Sequence, residues 1–117
     1  MINEEIILEV LKKFWSLESS SVWTEENPAK GQCGVTSLVI NDHFGGEILK
    51  TKLPDGQRHF YNSIDGKRFD FTSSQFESEI EYLDMPSNRE EAFEDTNKEQ
   101  YLYLLNKFNR LIKKVHH

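Results

Sequence analysis

Between residues 4 and 17 apolar side chains recur every three or four positions, with Ile6, Ile7, Val10, Leu11, Phe14 and Trp15 on one face. That period predicts an amphipathic helix, capped by Asn3 and carrying Glu4 and Glu5 in a first turn whose dipole favours acids. Ser19, Ser20 and Ser21 end it. Trp23 then leads into the loop TEENPAKGQ, punctuated by Pro28 and Gly31. A second helical pattern, Val35, Leu38, Val39 and Phe44, runs from Cys33 to Phe44, and Gly45-Gly46 supplies residues able to take positive φ at its end.

The pattern then changes to β-prone runs. EILKTKL, RHFYNSI and KRFDFT are separated by PDGQ and by Asp65-Gly66, the latter a strong two-residue hairpin signal. A three-stranded antiparallel meander is the natural reading, with room for a slightly larger sheet. Beyond Thr72 the chain turns polar and helical. Ser73 or Ser74 is expected to cap a short helix through Ile80. Ser87-Asn88-Arg89-Glu90 and Thr96-Asn97-Lys98-Glu99 read as capping boxes for two more helices. In the last of these Tyr101, Leu104, Leu105, Phe108, Leu111 and Ile112 form one stripe. The whole is an α+β domain, residues 1–117, with N-terminal and C-terminal helices gathered around one antiparallel sheet.

Composition narrows the function. Hydrophobic residues make up 37% of the 117 residues and aromatics 12%, enough apolar surface for a folded core. The net charge of -6 opposes phosphate-backbone binding, which needs clustered Lys and Arg, so nucleic acid is not an expected partner. The longest apolar runs, Ile6-Ile7-Leu8 and Leu38-Val39-Ile40, are far short of a membrane span, and Met1 does not lead into a secretory leader. One cysteine excludes an intramolecular disulfide and agrees with a reducing compartment, so the cytoplasm is the expected location. His116 and His117 are either native or the start of a purification tag and carry no role in this reading.

That cysteine stands at the predicted start of a helix, where unpaired N–H groups and the dipole stabilise a thiolate. An imidazole is the second requirement of a thiol nucleophile, and His59 is the leading candidate. If Asp65-Gly66 is the hairpin turn, Ile64 faces Lys67, and the pairing runs back to 61 opposite 70 and 59 opposite 72. His59, Tyr61, Asp70 and Thr72 then share one face, and Phe60, Ile64, Phe69 and Phe71 the other. His59 and Asp70 become diagonal neighbours, roughly 7–8 Å apart at Cα, so the carboxylate reaches the ring and fixes its tautomer.

A cysteine at a helix start, a histidine near the start of a strand and an aspartate on the next strand resemble the core of the papain-like and transglutaminase-like superfamily. More locally, NPAKGQCGVTSLVINDHFGGEILKT, HFYN, DGKRFDFT and SQF are similar to the small bacterial YunG-like family over roughly residues 23 to 76, GQC and GGEIL being the most specific part. The superfamily resemblance implies acyl transfer or hydrolysis through a thioester, with Cys33 as nucleophile, His59 as base and Asp70 as orienting acid. Gln32, Trp23 and Tyr61 are the candidate substrate or oxyanion contacts, although Gln32 is off the spacing of the papain-like oxyanion glutamine. The Cys33 backbone N–H is a further oxyanion donor. A peptide, a protein or a small acyl compound is the expected substrate, and no cofactor or metal is expected.

Plainer readings of the same residues stand beside these. A single cysteine is ordinarily an inert core residue, and His59 and Asp70 also fit the solvated face of a one-sided sheet. Asp65 is accounted for by turn chemistry, and His43 by the favourable C-terminal end of its helix. Asp42, His43 and His59 lack metal-ligand spacing. The run EEAFED reads as a helix surface or a protein-docking patch. The alternative to an enzyme is therefore a non-catalytic module of the same fold that binds a protein or peptide partner.

Overall fold

In the computed structural model, which describes residues 3–115, helix α1 (Glu4–Phe14) starts at Asn3, whose Oδ1 accepts the Ile6 N–H at 3.1 Å. It ends at Phe14 rather than at 17. Trp15 leaves helical geometry with ψ 128° and donates its Nε1–H to Thr36 Oγ1 at 3.0 Å. Helix α2 (Cys33–Phe44) has the bounds that its pattern predicts. His116 and His117 lie outside the described residues.

Strands β1 (Glu47–Lys52), β2 (Arg58–Ile64), β3 (Lys67–Phe69) and β4 (Met85–Pro86) form one antiparallel sheet in the order β3-β2-β1-β4. The expected meander is thus extended by a short edge strand that pairs with Leu49 and Lys50. Ile64 faces Lys67, as the hairpin requires, but the ladder stops at Asn62 opposite Phe69. Asp70 leaves it because its Oδ1 accepts both the backbone N–H and the hydroxyl of Thr72, each at 3.2 Å, an Asx turn that competes with strand pairing.

The helix expected through Ile80 is a correction. Only a single 3-10 turn, Ser73–Gln75, forms, and the chain continues as an irregular strap to Asp84. Several of its backbone groups bond to the sheet instead of to a helical turn. Thr51 Oγ1 donates to the Glu81 carbonyl at 2.8 Å and accepts the Leu83 N–H at 3.0 Å, while the Asp84 N–H donates to Tyr61 Oη at 2.8 Å.

Both capping boxes are displaced by one residue. In α3 (Arg89–Phe93) Asn88 Oδ1 accepts the Glu91 N–H at 2.8 Å. In α4 (Lys98–Val115) Asn97 Oδ1 accepts the Gln100 N–H at 2.9 Å. Ser87 and Thr96 stand one place earlier and donate their hydroxyls to the side chains of Glu91 and Gln100. The asparagines win because their short carboxamide satisfies an orphan helix donor directly.

One face of the sheet, with Ile48, Phe60, Ile64 and Phe69, packs under α2. Beyond it α1 and α4 close the core through Ile7, Leu11, Leu104, Phe108 and Ile112. The strap covers the other face, so His59 and Tyr61 are buried rather than solvated. Gly45 and Gly46 let the chain leave α2 for β1, with φ of 76° and 77°. A Cβ at Gly45 meets nothing within 4 Å, whereas one at Gly46 would lie 2.2 Å from the Ser63 carbonyl oxygen. Gly45→Ala should therefore cost the backbone strain alone, about 1–3 kcal/mol, and Gly46→Ala distinctly more. Urea midpoints should fall in the order wild type, Gly45→Ala, Gly46→Ala, and equal midpoints for the two variants would contradict the close approach.

Candidate active site

The loop before α2 aims Cys33. Gly31 takes φ 73°, and a Cβ there would sit 2.3 Å from Val22 Cγ2, so residues 20–22 lie directly on it. The loop is tied across the molecule to the turn after β3. Asn27 Nδ2 donates to the Gln75 carbonyl at 3.0 Å, and the Gly31 N–H donates to Gln75 Oε1 at 3.5 Å. The start of α2 and the end of β3 are thereby held together.

On the strand side the expected pair forms. His59 Nε2 is 2.7 Å from Asp70 Oδ2, with the histidine 1% exposed. The same carboxylate oxygen accepts the Tyr82 hydroxyl at 2.7 Å, and Thr72 holds the other oxygen. Phe76 packs edge-on to the imidazole with ring centres 4.9 Å apart, and Tyr61 stacks on it at 5.9 Å. With Nε2 held by Asp70, Nδ1 is the ring nitrogen left for proton exchange. Burial, and then the bond to Asp70, push the Tyr82 phenol up. Tyr61 is pushed up to about 12 by burial and by Asp84, to which its hydroxyl donates at 2.9 Å. Its polar end is thus committed to the strap.

On the helix side the thiol has a partner that sequence reasoning missed. Cys33 Sγ donates to Asp95 Oδ2 at 3.4 Å, and the Gly34 N–H donates to the same oxygen at 3.1 Å. Among the described residues this carboxylate, and not His59, is the hydrogen-bond partner of the thiol. The cysteine is 7% exposed and packs with Leu38, Ile48, Phe60 and Ala92. Burial, then the Asp95 charge, push the thiol well above its ordinary range, and a backbone hydrogen bond from Phe60 offsets this only in part. Burial also raises Asp95, against the bonds from Cys33 and Gly34 and the fields of Arg58 and His59. Asp95 is therefore the group that feels both the thiol and the imidazole.

Asp95 closes EEAFED, so that run is more than a helix surface. Ala92 is fully buried, Glu91 pairs with Lys50 at 2.6 Å and Arg58 at 3.0 Å, and Glu94 pairs with Arg58 at 2.8 Å. The sequence signal for this approach is Gly34. A Cβ there would lie 2.7 Å from Asp95 Oδ2 and 2.9 Å from the Ala92 carbonyl, so only glycine lets α3 close on the first turn of α2.

Gln32 is fully buried, and neither its Nε2 nor its Oε1 has a protein partner. The same holds for Trp23 Nε1 and Gln75 Nε2. Among the described residues these four atoms are the buried side-chain orphans, and they belong to the loop before Cys33 or to the turn tied to it, so they call for an explanation beyond packing. No His, Cys, Asp and Glu grouping suited to a metal is found among the described residues.

By fold the protein is an α+β domain with helices packed on a four-stranded antiparallel sheet. Its family model, that of the YunG protein, matches residues 3–113, and the chain belongs to the YunG family. It is similar to the protein described as uncharacterized protein YunG of Bacillus subtilis (strain 168), at 61% identity over 101 residues, covering 86% of this chain and 87% of that one. No solved structure matches the chain.

Two expectations follow from this geometry. Removing the Asp95 charge removes the second-largest cause of the raised thiol, so Asp95→Asn should bring the onset of iodoacetamide alkylation about one pH unit lower or more. An unchanged profile would show that the carboxylate does not govern the sulfur. The clamp on α3 should respond in the opposite direction. Lys50, then Ser87, hold Glu91 down to about 2, so its contribution is complete above the ordinary glutamate range and is lost as pH falls through about 2. Amide exchange in α3 should accelerate across that window. Flat protection would assign the docking of α3 to packing alone.

Proposed function

We propose that the chain is a cysteine-dependent acyl-transfer enzyme, an amide or ester hydrolase or transferase with a papain-like or transglutaminase-like core. The observation that carries the proposal is the buried His59–Asp70 pair, fixed by Tyr82 and Thr72 and followed in the chain by the turn that is tied to the loop before α2. In the proposed cycle His59 Nδ1 takes the Cys33 proton and the thiolate adds to a substrate carbonyl. The N–H groups opening α2 receive the oxyanion, with the orphaned Gln32 amide beside them. The imidazolium then protonates the departing amine or alcohol, leaving a thioester. Water or an acceptor amine attacks that thioester and returns the thiol. A free cysteine on such a cycle suits a reducing compartment such as the cytoplasm.

In the resting arrangement Asp95 occupies the place where a carbonyl oxygen would be received, on the Gly34 N–H and against the thiol. Productive binding therefore requires that carboxylate to withdraw. The same contact favours the second reading, a non-catalytic module in which Cys33 is a buried neutral thiol. Intact-mass measurement with p-nitrophenyl acetate separates the two. An enzyme should gain one acetyl group on Cys33, faster in Asp95→Asn, and His59→Ala should slow acylation by about 10²–10⁴-fold. Absence of the adduct in both wild type and Asp95→Asn, or equal rates with and without His59, would leave only the binding module.

A further inference from the structure

The strap that covers His59 also forms one wall of an open groove, of about 670 Å³, between itself and the β1–β2 turn. Its floor is apolar, built from Leu53, Pro54, Phe76, Ile80 and Leu83, and Leu83 is 48% exposed. Its rim is acidic. Asp55, Glu77, Glu79 and Glu81 line it, against the single cation of Lys52. None of these four carboxylates forms an ion pair with the described residues, whereas Asp42, Asp84, Glu91 and Glu94 are all paired with Lys or Arg. Four carboxylates against one lysine leave the lining of this apolar floor with a net negative charge.

We infer that the groove receives a lysine- or arginine-bearing peptide segment of a partner protein. Such side chains lay their aliphatic stems on an apolar floor while their charged heads reach an acidic rim, and Leu- or Val-type neighbours fill the remaining surface. Nucleic acid and anionic membranes are opposed by the same charges. The inference deepens the acyl-transfer reading and rests on it for the fate of the bound segment. Phe76 is shared between the groove and the imidazole, its ring edge-on to His59 at 4.9 Å, so a docked peptide lies one aromatic ring away from the proposed base.

Binding is tested on Cys33→Ala, which has no nucleophile, with a fluorescein-labelled peptide of alternating Lys and Leu read by anisotropy. Saturable binding is expected, weakened by added salt and reduced about tenfold or more in the further variant Glu77→Gln/Glu79→Gln/Glu81→Gln. Circular dichroism of that variant verifies its fold, since all three positions are exposed. No binding at millimolar peptide, equal binding of a Glu-Leu peptide, or unchanged affinity in the variant would each overturn the inference. Spermine competing as tightly as the peptide would assign the groove to a small polycation and overturn it likewise. Charge-dependent binding without acylation of the wild type would remove the chemistry and keep the groove, and acylation without such binding would do the reverse.

Discussion

Burial of α2 on every side is the constraint from which the rest follows. Its residues from Cys33 through Ile40 are all buried, packed by the sheet below, α1 and α4 above, and α3 beside the first turn. A helix so enclosed has to satisfy its polar side chains internally. Thr36 does so by accepting the Trp15 Nε1–H, and Ser37 by donating to the Gly34 carbonyl, while the Ser37 carbonyl accepts Asn62 Nδ2 from the sheet at 3.0 Å. These contacts fix the rotation of α2 about its axis. The direction in which Cys33 faces, toward Phe60 and Asp95, is a consequence of that rotation.

Features encoded by neighbouring residues were legible in the sequence. The glycine pair bounds α2, Asp65-Gly66 sets the β2–β3 register, and that register brings His59 and Asp70 to one face even though the ladder ends before reaching them. Features encoded by residues far apart were not. β4 exists through two pairings with β1, the strap is held by Thr51 and Tyr61, and Asp95 reaches Cys33 only because α3 is clamped to Lys50 and Arg58. The strap also reversed an expectation that followed from alternation alone. A polar face of a sheet reads as solvated, but Phe76 and Tyr82 roof it.

Stability does not account for the His59–Asp70 pair. Desolvating two polar groups costs about as much as their mutual attraction returns, and well-packed apolar residues often serve a core as well or better. Here the cost is offset by directed bonds, with Tyr82 and His59 on one carboxylate oxygen and the Thr72 N–H and hydroxyl on the other. That arrangement leaves Asp70 no freedom to rotate and the ring little freedom to tilt. Fixing a ring so completely serves orientation of its remaining nitrogen better than it serves folding free energy, which is why the pair favours the catalytic reading.

The thiol and Asp95 compete for one resource. The N–H groups at the start of α2 stabilise a single anion, and a carboxylate bonded to Gly34 removes the stabilisation that a Cys33 thiolate would otherwise draw on. A second negative charge 3.4 Å away then adds repulsion. Docked α3 and an ionised thiol are therefore opposed states, and whatever loosens α3 favours ionisation. Arg58, which pairs with Glu91 and Glu94, is the residue next to His59. Strand β2 thus carries both the proposed base and the anchor of the segment that holds the Cys33 thiol neutral, so a ligand drawing the Arg58 side chain away would weaken the contact of Asp95 with that thiol.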